Sequence, residues 1–472
     1  MRIDIEYGDG SMPIDVPDGT PVARAGDLYQ EPAPLEDPVE ATREALRNPL
    51  GTKRIRELVN SGSKVVIGFP DRVKGGFQKT AHRRVTIHLV LDELERAGVK
   101  DENIKLVCGI GLHRMNTHEE FSQYLGDDLV RRFGHTGIVN HDAEDPDGIV
   151  TLGRTEHGNW VDFNRYAYEA DLTVLLGHTM GNPYGGYSGG YKMPCTGFTS
   201  WRSISSHHTP STMYRDDFIP ASTGSHFRHQ LRDIGKTIEA SRNNNFFLVD
   251  AVLNGSSQQL DVRAGLPDEV EAATWAKAAI RTDVTVPGPK ANVLVLGVPR
   301  NFHYGPGMGS NPILMMQGMG SWVTRAAAAL EERFVIVAAT ICDGWFNDSW
   351  FPAYEAIYDK LQELNGAEEL TPFAEEFATN PEWVHKYRRE FAYHPFHGFS
   401  MAYMGSIAVN RALEVFIVGA KKPGYARGMG ATPVADYDQA IKRAARLLDA
   451  EPRMLVVPAL SKPAVHLRSA ES

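Results

Sequence analysis

The sequence predicts an α/β protein with two α/β domains, each built on a mainly parallel sheet. Three observations carry that expectation. From Lys64 onward, short β-branched or leucine-rich runs alternate with amphipathic segments, the pattern of strands joined by helical crossovers. The same alternation restarts after residue 291. Between the two, proline and glycine concentrate at Val284-Thr-Val-Pro-Gly-Pro-Lys290, which sets domains of 1–285 and 291–472.

Taken in order, residues 1–25 alternate about a Gly8-Asp9-Gly10 turn and predict a hairpin. Asp37-Pro38-Val39-Glu40 supplies the N-cap, first-turn proline and N3 glutamate of a helix. Lys64-Val-Val-Ile-Gly-Phe69 reads as a buried strand, 78–97 as a helix ending at Gly98, and Ile104-Lys-Leu-Val-Cys108 as the next strand. Thr117-His-Glu-Glu120 is a capping box that opens another helix. Residues 148–170 predict strands about Gly158-Asn159 and a short helix, ahead of the buried strand Leu172-Thr-Val-Leu-Leu176. The polar stretch from His208 to Asn245 receives no assignment; 245–254 with 258–262 reads as a hairpin and 268–282 as a helix. In the second half, strands are expected at 292–297, 334–339, 414–419 and 453–457, helices at 312–331, 353–365 and 436–449, and a frayed tail after Ser461.

Composition narrows the function classes. A formal net charge of −10 argues against nucleic acid or an anionic membrane surface as partner, because both attract basic surfaces. Met1-Arg-Ile-Asp-Ile-Glu begins as a strand without an apolar signal core, and no run approaches the ~18 apolar residues needed to span a bilayer, so a cytoplasmic location is expected. Cys108, Cys195 and Cys342 are scattered and odd in number, which fits neither a disulfide framework nor a Cys-x-x-Cys metal site.

The least ordinary stretch is Gly177 to His208. The strand 172–176 runs into a loop holding Gly177, Gly181, Gly185, Gly186, Gly189 and Gly190, where backbone N–H groups can close around an anion at a sheet's carboxyl edge. Glycine clusters also make plain turns, and the phosphate-loop pattern fails here, because Met193 stands where a hydroxyl residue must follow Lys192. Lys192 and the His207-His208 pair suggest covalent or metal chemistry. His113, after the strand 104–108, sits where α/β ligand sites lie, although a loop histidine is commonly a bystander.

Ser188-Gly189-Gly190-Tyr191-Lys192, with His208 sixteen positions beyond the lysine, resembles the nickel-pincer nucleotide enzymes of the lactate racemase-like family. Gly111-Leu-His-Arg-Met-Asn-Thr117 matches that family's G-x-H-R-x-N-T segment. The resemblance implies a catalytic cleft between the two domains, with the first carrying the cofactor. It implies that Lys192 holds a pyridinium-3,5-bisthiocarboxylic acid mononucleotide nickel cofactor, that Ser188, Gly189 and Gly190 line it, that His208 ligates nickel, and that His113 is a base. Imidazole and sulfur suit Ni(II). The implied reaction is racemisation or epimerisation at C2 of a small-molecule 2-hydroxy acid, with cofactor-maturation enzymes as partners. The family's Asp-x-Thr-Arg segment, which binds the nucleotide and substrate region, is matched at Arg72, implying a cofactor-binding role; its aspartate falls on Phe69 by the same count, with Asp71 the alternative replacement.

Departures accompany the match. Asn182 stands where the family has a second catalytic histidine, so Asn182 is expected to act by hydrogen bonding, with His178, His303, His394 and His397 as candidates for a second base. In Asn311-Pro-Ile-Leu-Met-Met-Gln317 the family's tyrosine, glutamine and lysine are absent, which together with Tyr184, Tyr187, Tyr191 and Trp201 favours a larger, sugar-derived acid. The side chain of His207 is expected to point away from His208's ligand. A pincer-dependent oxidoreductase, a conventional metal- or lysine-dependent hydrolase or lyase, and a non-catalytic anion-binding protein are the rival readings.

Overall fold

A computed structural model describes residues 1–460 and 465–471. One sheet has the spatial order Gln259–Gly265, Phe247–Leu253, Leu172–Thr179, Val65–Pro70, Ile104–Gly109, Ile138–Asn140, and only its first pair is antiparallel. Val65–Pro70 and Leu172–Thr179 are buried along their whole length. That is why they read as continuous apolar runs: helices cover both faces of a parallel sheet.

The second sheet runs Thr432–Val434, Glu414–Val418, Leu330–Ala339, Ala291–Pro299, and then Arg2–Gly8 and Gly10–Asp15. Met454–Val457 shares the edge of Ala291–Pro299 with Arg2–Gly8. The fold is therefore α/β with mainly parallel sheets, as expected. The opening hairpin, however, belongs to the second sheet and not with the rest of residues 1–285: Tyr7 and Gly8 pair with Val298 and Pro299. The tail makes the reverse connection. His466–Ser469 pairs in parallel with Asp283–Val286, so this part of the tail is a strand and not frayed, while 461–464 and 472 lie outside the described residues.

Two helices were not expected. His226–Arg242 crosses the polar stretch because Phe227, Leu231, Ile234 and Ile238 fall on one buried stripe, and Ser225 caps it by accepting from the Arg228 N–H. Pro395–Arg411 begins directly after His394; proline takes the first helical position, where no N–H is needed. The helix expected at 312–331 stops at Ala326, because Leu330 already begins a strand.

Candidate active site

The site lies where the carboxyl ends of both sheets meet. In the first half, Asp71 follows the strand Val65–Pro70 and His113 follows Ile104–Gly109. His113 Nδ1 lies 2.6 Å from Asp71 Oδ2, and Asp71 is buried. Burial alone would raise the Asp71 carboxyl, but the adjoining His113 ring, with Lys74 and Arg83, outweighs it and holds the group below its ordinary value. A carboxylate on Nδ1 orients the imidazole and leaves Nε2 for chemistry. The loop carrying His113 is gripped from the second half: the Tyr387 hydroxyl donates to Gly111 O at 3.3 Å and the His394 N–H to Leu112 O at 3.0 Å.

Arg72 is turned elsewhere. Its guanidinium pairs with Glu120 at 3.0 Å and lies over the Trp350 ring. Lys74, which the sequence reading passed over, has no carboxylate partner among the described residues, and its charge acts on Asp71, His178 and Lys192. Asp71 to Lys74 spans the same interval as the Asp-x-Thr-Arg segment, with lysine in its last place. The signal was the spacing from Asp71, obscured because lysine replaces arginine.

The glycine loop is closed against itself. The Asn182 N–H donates to Gly186 O at 2.9 Å and the Ser188 N–H to Met180 O at 2.9 Å, while the Ser188 hydroxyl donates to His178 O at 2.6 Å. Asn182 Oδ1 accepts from the Tyr184 N–H at 2.9 Å, an Asx turn within the loop. The expected anion cradle is filled from inside the protein. The Gly190 N–H donates to Asp250 Oδ2 and the Tyr191 N–H to Glu271 Oε1, both at 2.7 Å. Glu271 in turn pairs with buried Arg228, whose other amino group donates to Tyr187 O at 3.0 Å. A Cβ on Gly190 would lie 1.9 Å from Glu271 Oε1, so only glycine admits that carboxylate. These N–H groups are therefore engaged by the protein's own carboxylates.

The loop delivers Lys192 to the start of a short helix, Lys192–Gly197. Its ammonium lies 4.8 Å from the centre of the Phe227 ring and 5.8 Å from that of Tyr184, with no carboxylate partner among the described residues. Burial, then the charges of Lys74 and Arg228, push it well below the usual lysine range, favouring the neutral, nucleophilic amine.

His208 is buried beside it, its ring 5.6 Å from those of Tyr184 and Phe227. His207 does not point elsewhere: His208 Nδ1 is 2.8 Å from His207 Nδ1, so one ring must donate to the other. If His208 Nδ1–H donates, its Nε2 carries a lone pair and can ligate a metal. With that donor, His207 is the group that holds His208 in the ligating tautomer. Among the described residues no group of three or more His, Cys, Asp or Glu side chains is arranged to hold a metal.

The four remaining histidines separate by their partners. His394 is fully engaged, with Nδ1 capping the helix Pro395–Arg411 by accepting from the Phe396 N–H and Nε2 2.6 Å from Glu144. His178 is buried under Gly75, and neither ring nitrogen has a partner. His303 is exposed and packs edge-on against Tyr304. His397 faces His113 with ring centres 5.6 Å apart; its Nδ1 is 2.6 Å from the Tyr354 hydroxyl, and its Nε2 has no partner. Tyr304 packs against both His113 and His397.

Comparison with known proteins points to one family. The family description "Lactate racemase N-terminal domain" matches residues 7–217. A lactate racemase of Thermoanaerobacterium thermosaccharolyticum is 24% identical over 467 residues, covering 97% of each chain. One of Lactiplantibacillus plantarum is 27% identical over 215 residues, 44% of this chain and 47% of the other. The lactate racemase apoprotein structure from T. thermosaccharolyticum superposes with a TM-score of 0.72 at 22% identity, over 99% of this chain and 100% of that one. A Thermotoga maritima protein follows, with a TM-score of 0.57 at 14% identity over 93% and 100%.

Proposed function

Because this chain is a divergent member of the lactate racemase-like family, we propose that it is an isomerase inverting C2 of a 2-hydroxy acid. The observation that carries the reading is Lys192, a half-buried amine without an anionic partner among the described residues, set beside the His207–His208 pair, with the Lys74 charge acting both on it and on Asp71 of the Asp71–His113 pair. An amine so placed is chemically fit for a covalent amide or thioamide link, and unpartnered buried nitrogens on His178 and His207 fit a site completed by a further polar group. Lys192 would hold a nickel-pincer nucleotide and the Nε2 of His208 would ligate its metal. When bound, that group supplies a hydride acceptor and donor.

The protein's own residues handle protons and orientation. His113 takes the C2 hydroxyl proton on Nε2, and Asp71 holds the ring and stabilises the imidazolium. Lys74 offers its charge to the substrate carboxylate. Asn182, its oxygen engaged by Tyr184, keeps amide N–H donors for the substrate but cannot titrate. That substitution favours epimerisation of a polyhydroxy acid over a symmetric racemisation. Cofactor-maturation enzymes are the implied partners.

Peptide mass spectrometry of protein from a host with those enzymes tests the covalent link. The expected result is a nucleotide adduct on Lys192; active protein with an unmodified lysine sinks the assignment. A substrate deuterated at C2 should keep its label through turnover in ordinary water, and washout would point to a carbanion route instead.

A further inference from the structure

We infer that Arg83 is the positioning residue of the proton-handling pair, fixing the loop 71–76 so that Asp71 meets His113 and the charge of Lys74 bears on the same site. The inference rests on the C2-isomerase reading and deepens it. Arg83 stands second in the helix His82–Arg96 and is 0% exposed. Its two amino groups donate to four carbonyls of the turn before that helix: Nη1 to Pro70 O at 3.3 Å, to Asp71 O and to Lys74 O, and Nη2 to Gly76 O at 2.7 Å. Asp71 and Lys74 are thus both held by their own backbone.

Buried arginines usually answer a carboxylate. Arg228 pairs with Glu271, and Arg56 with Glu93, which lies on the same helix as Arg83. Arg83 hydrogen-bonds to no carboxylate among the described residues, and its guanidinium lies 3.8 Å from the centre of the Tyr124 ring. The loop gives it the acceptors instead. Its own turn is slight: the Lys74 N–H donates to Asp71 O at 3.3 Å, and Gly75 and Gly76 take positive φ. A planar fork can gather carbonyls from four residues at one point, which a single ammonium does poorly.

The same platform reaches the segment of His113. The Tyr124 hydroxyl donates to Asn116 Oδ1 at 3.0 Å, and that oxygen also accepts from the Arg72 N–H at 3.2 Å. Asn116 is three residues beyond His113, and Arg72 follows Asp71. One guanidinium, one ring and one amide therefore join the chain beside Asp71 to the chain beside His113. Charge adds to shape. Burial pushes the Asp71 carboxyl up, and the charges of His113, Lys74 and Arg83 together bring it below its ordinary value. Cys108 and Tyr124 also act on Asp71 from the first half, and His303, Tyr304 and Tyr393 from the second; burial keeps the thiol and the phenols neutral.

The test first reads Asp71 in protein without cofactor. With 13C at the aspartate carboxyls, and the Asp71 signal identified by its loss in Asp71→Asn, the parent should show Asp71 ionised from about pH 4.5 to 7.5. Arg83→Met, close in length but without charge or fork, should bring an Asp71 titration into that window, a rise of about one unit or more. Arg83→Lys keeps the charge and should leave Asp71 ionised. On the cofactor-loaded enzyme with 2,3,4-trihydroxybutyrate, Arg83→Lys should lower kcat/KM about tenfold and Arg83→Met about a hundredfold, with kcat falling through Asp71 and KM rising through Lys74. Arg56→Met, which breaks an ion pair to the same helix, should lower Tm and move neither the titration nor the turnover.

An Asp71 titration unmoved in Arg83→Met, with a loss of Tm like that of Arg56→Met, makes Arg83 a structural residue and overturns the inference. Should Arg83→Met not fold, Arg83→Lys decides, and a kcat/KM equal to the parent's overturns it. If the loaded parent isomerises neither the trihydroxy acid nor lactate, the isomerase reading fails, and the titration still judges Arg83.

Discussion

In the loop of the first half, Gly189 and Gly190 press against the carboxylates of Asp250 and Glu271; in the loop of the second half, Gly305 and Gly307 press against the indoles of Trp350 and Trp345. All four have positive φ, and in each loop a Cβ would collide with the neighbour. Glycine richness at a strand's end thus marks a close approach, without saying to what. The first loop meets buried charge and carries a lysine. The second meets aromatic rings and carries Tyr304, which packs on His113 and His397. The first wall of the site is electrostatic and sets reactivity, while the second is aromatic and sets shape.

The largest expected effect removes charge from the first wall. Asp71→Asn leaves the hydrogen-bonding shape but no anion beside His113, and should lower kcat by about 10³–10⁴-fold. A loss under tenfold would mean that the dyad is not the proton-handling pair.

Next come the glycines themselves. Gly190→Ala should destabilise the fold by about 3 kcal/mol or more, adding collision with a buried ion-paired carboxylate to the strain of positive φ. Gly307→Ala meets only Trp345, which is 47% exposed and free to move, and should cost about 1–2 kcal/mol. Denaturant melts of the two variants compare them directly, and equal losses would erase the contrast between charged and aromatic neighbours.

The smallest effect is on stability against pH. Burial, with Glu271 nearby, raises the Asp250 carboxyl from 3.8 to about 7 despite the Gly190 N–H and Arg228. The folded state then holds this proton more tightly than the unfolded chain. The group's contribution is fully present below about pH 4 and is lost as pH rises to about 7, by up to a few kcal/mol. Asp250→Asn should flatten the decline in denaturation midpoint between pH 5 and 7.5; an unchanged slope would place the titration elsewhere.

Much of this was legible in sequence. Leu172–Thr179 and Val65–Pro70 are apolar throughout because both faces are covered, and Thr117 with Glu120 forms the capping box its spacing implied. What escaped was long-range. Nothing in Gly190-Tyr191 announces that its partners lie 60 and 80 positions downstream, at Asp250 and Glu271. Lys74 was passed over, and Asp71 shows its place beside His113 only through their contact in the fold. The buried stripe of Phe227, Leu231, Ile234 and Ile238 was present, but diluted by arginine, histidine and glutamine on the other faces of that helix.

The exchange of strands between the halves has a consequence for synthesis. Residues 2–15 are made well before the parallel strand they join, Ala291–Pro299, which comes nearly 300 residues later. At roughly 5–20 residues per second, that hairpin waits on the order of fifteen seconds to a minute for its neighbour. It leaves the ribosome with an unpaired edge, and the first sheet can assemble in the meantime without it. Ribosome-bound chains arrested before residue 290 should therefore show residues 2–15 open to protease while Val65–Pro70 is already protected. The seam waits in the same way: Asp283–Val286 has no partner until His466–Ser469 has been made, 183 positions separating Asp283 from His466.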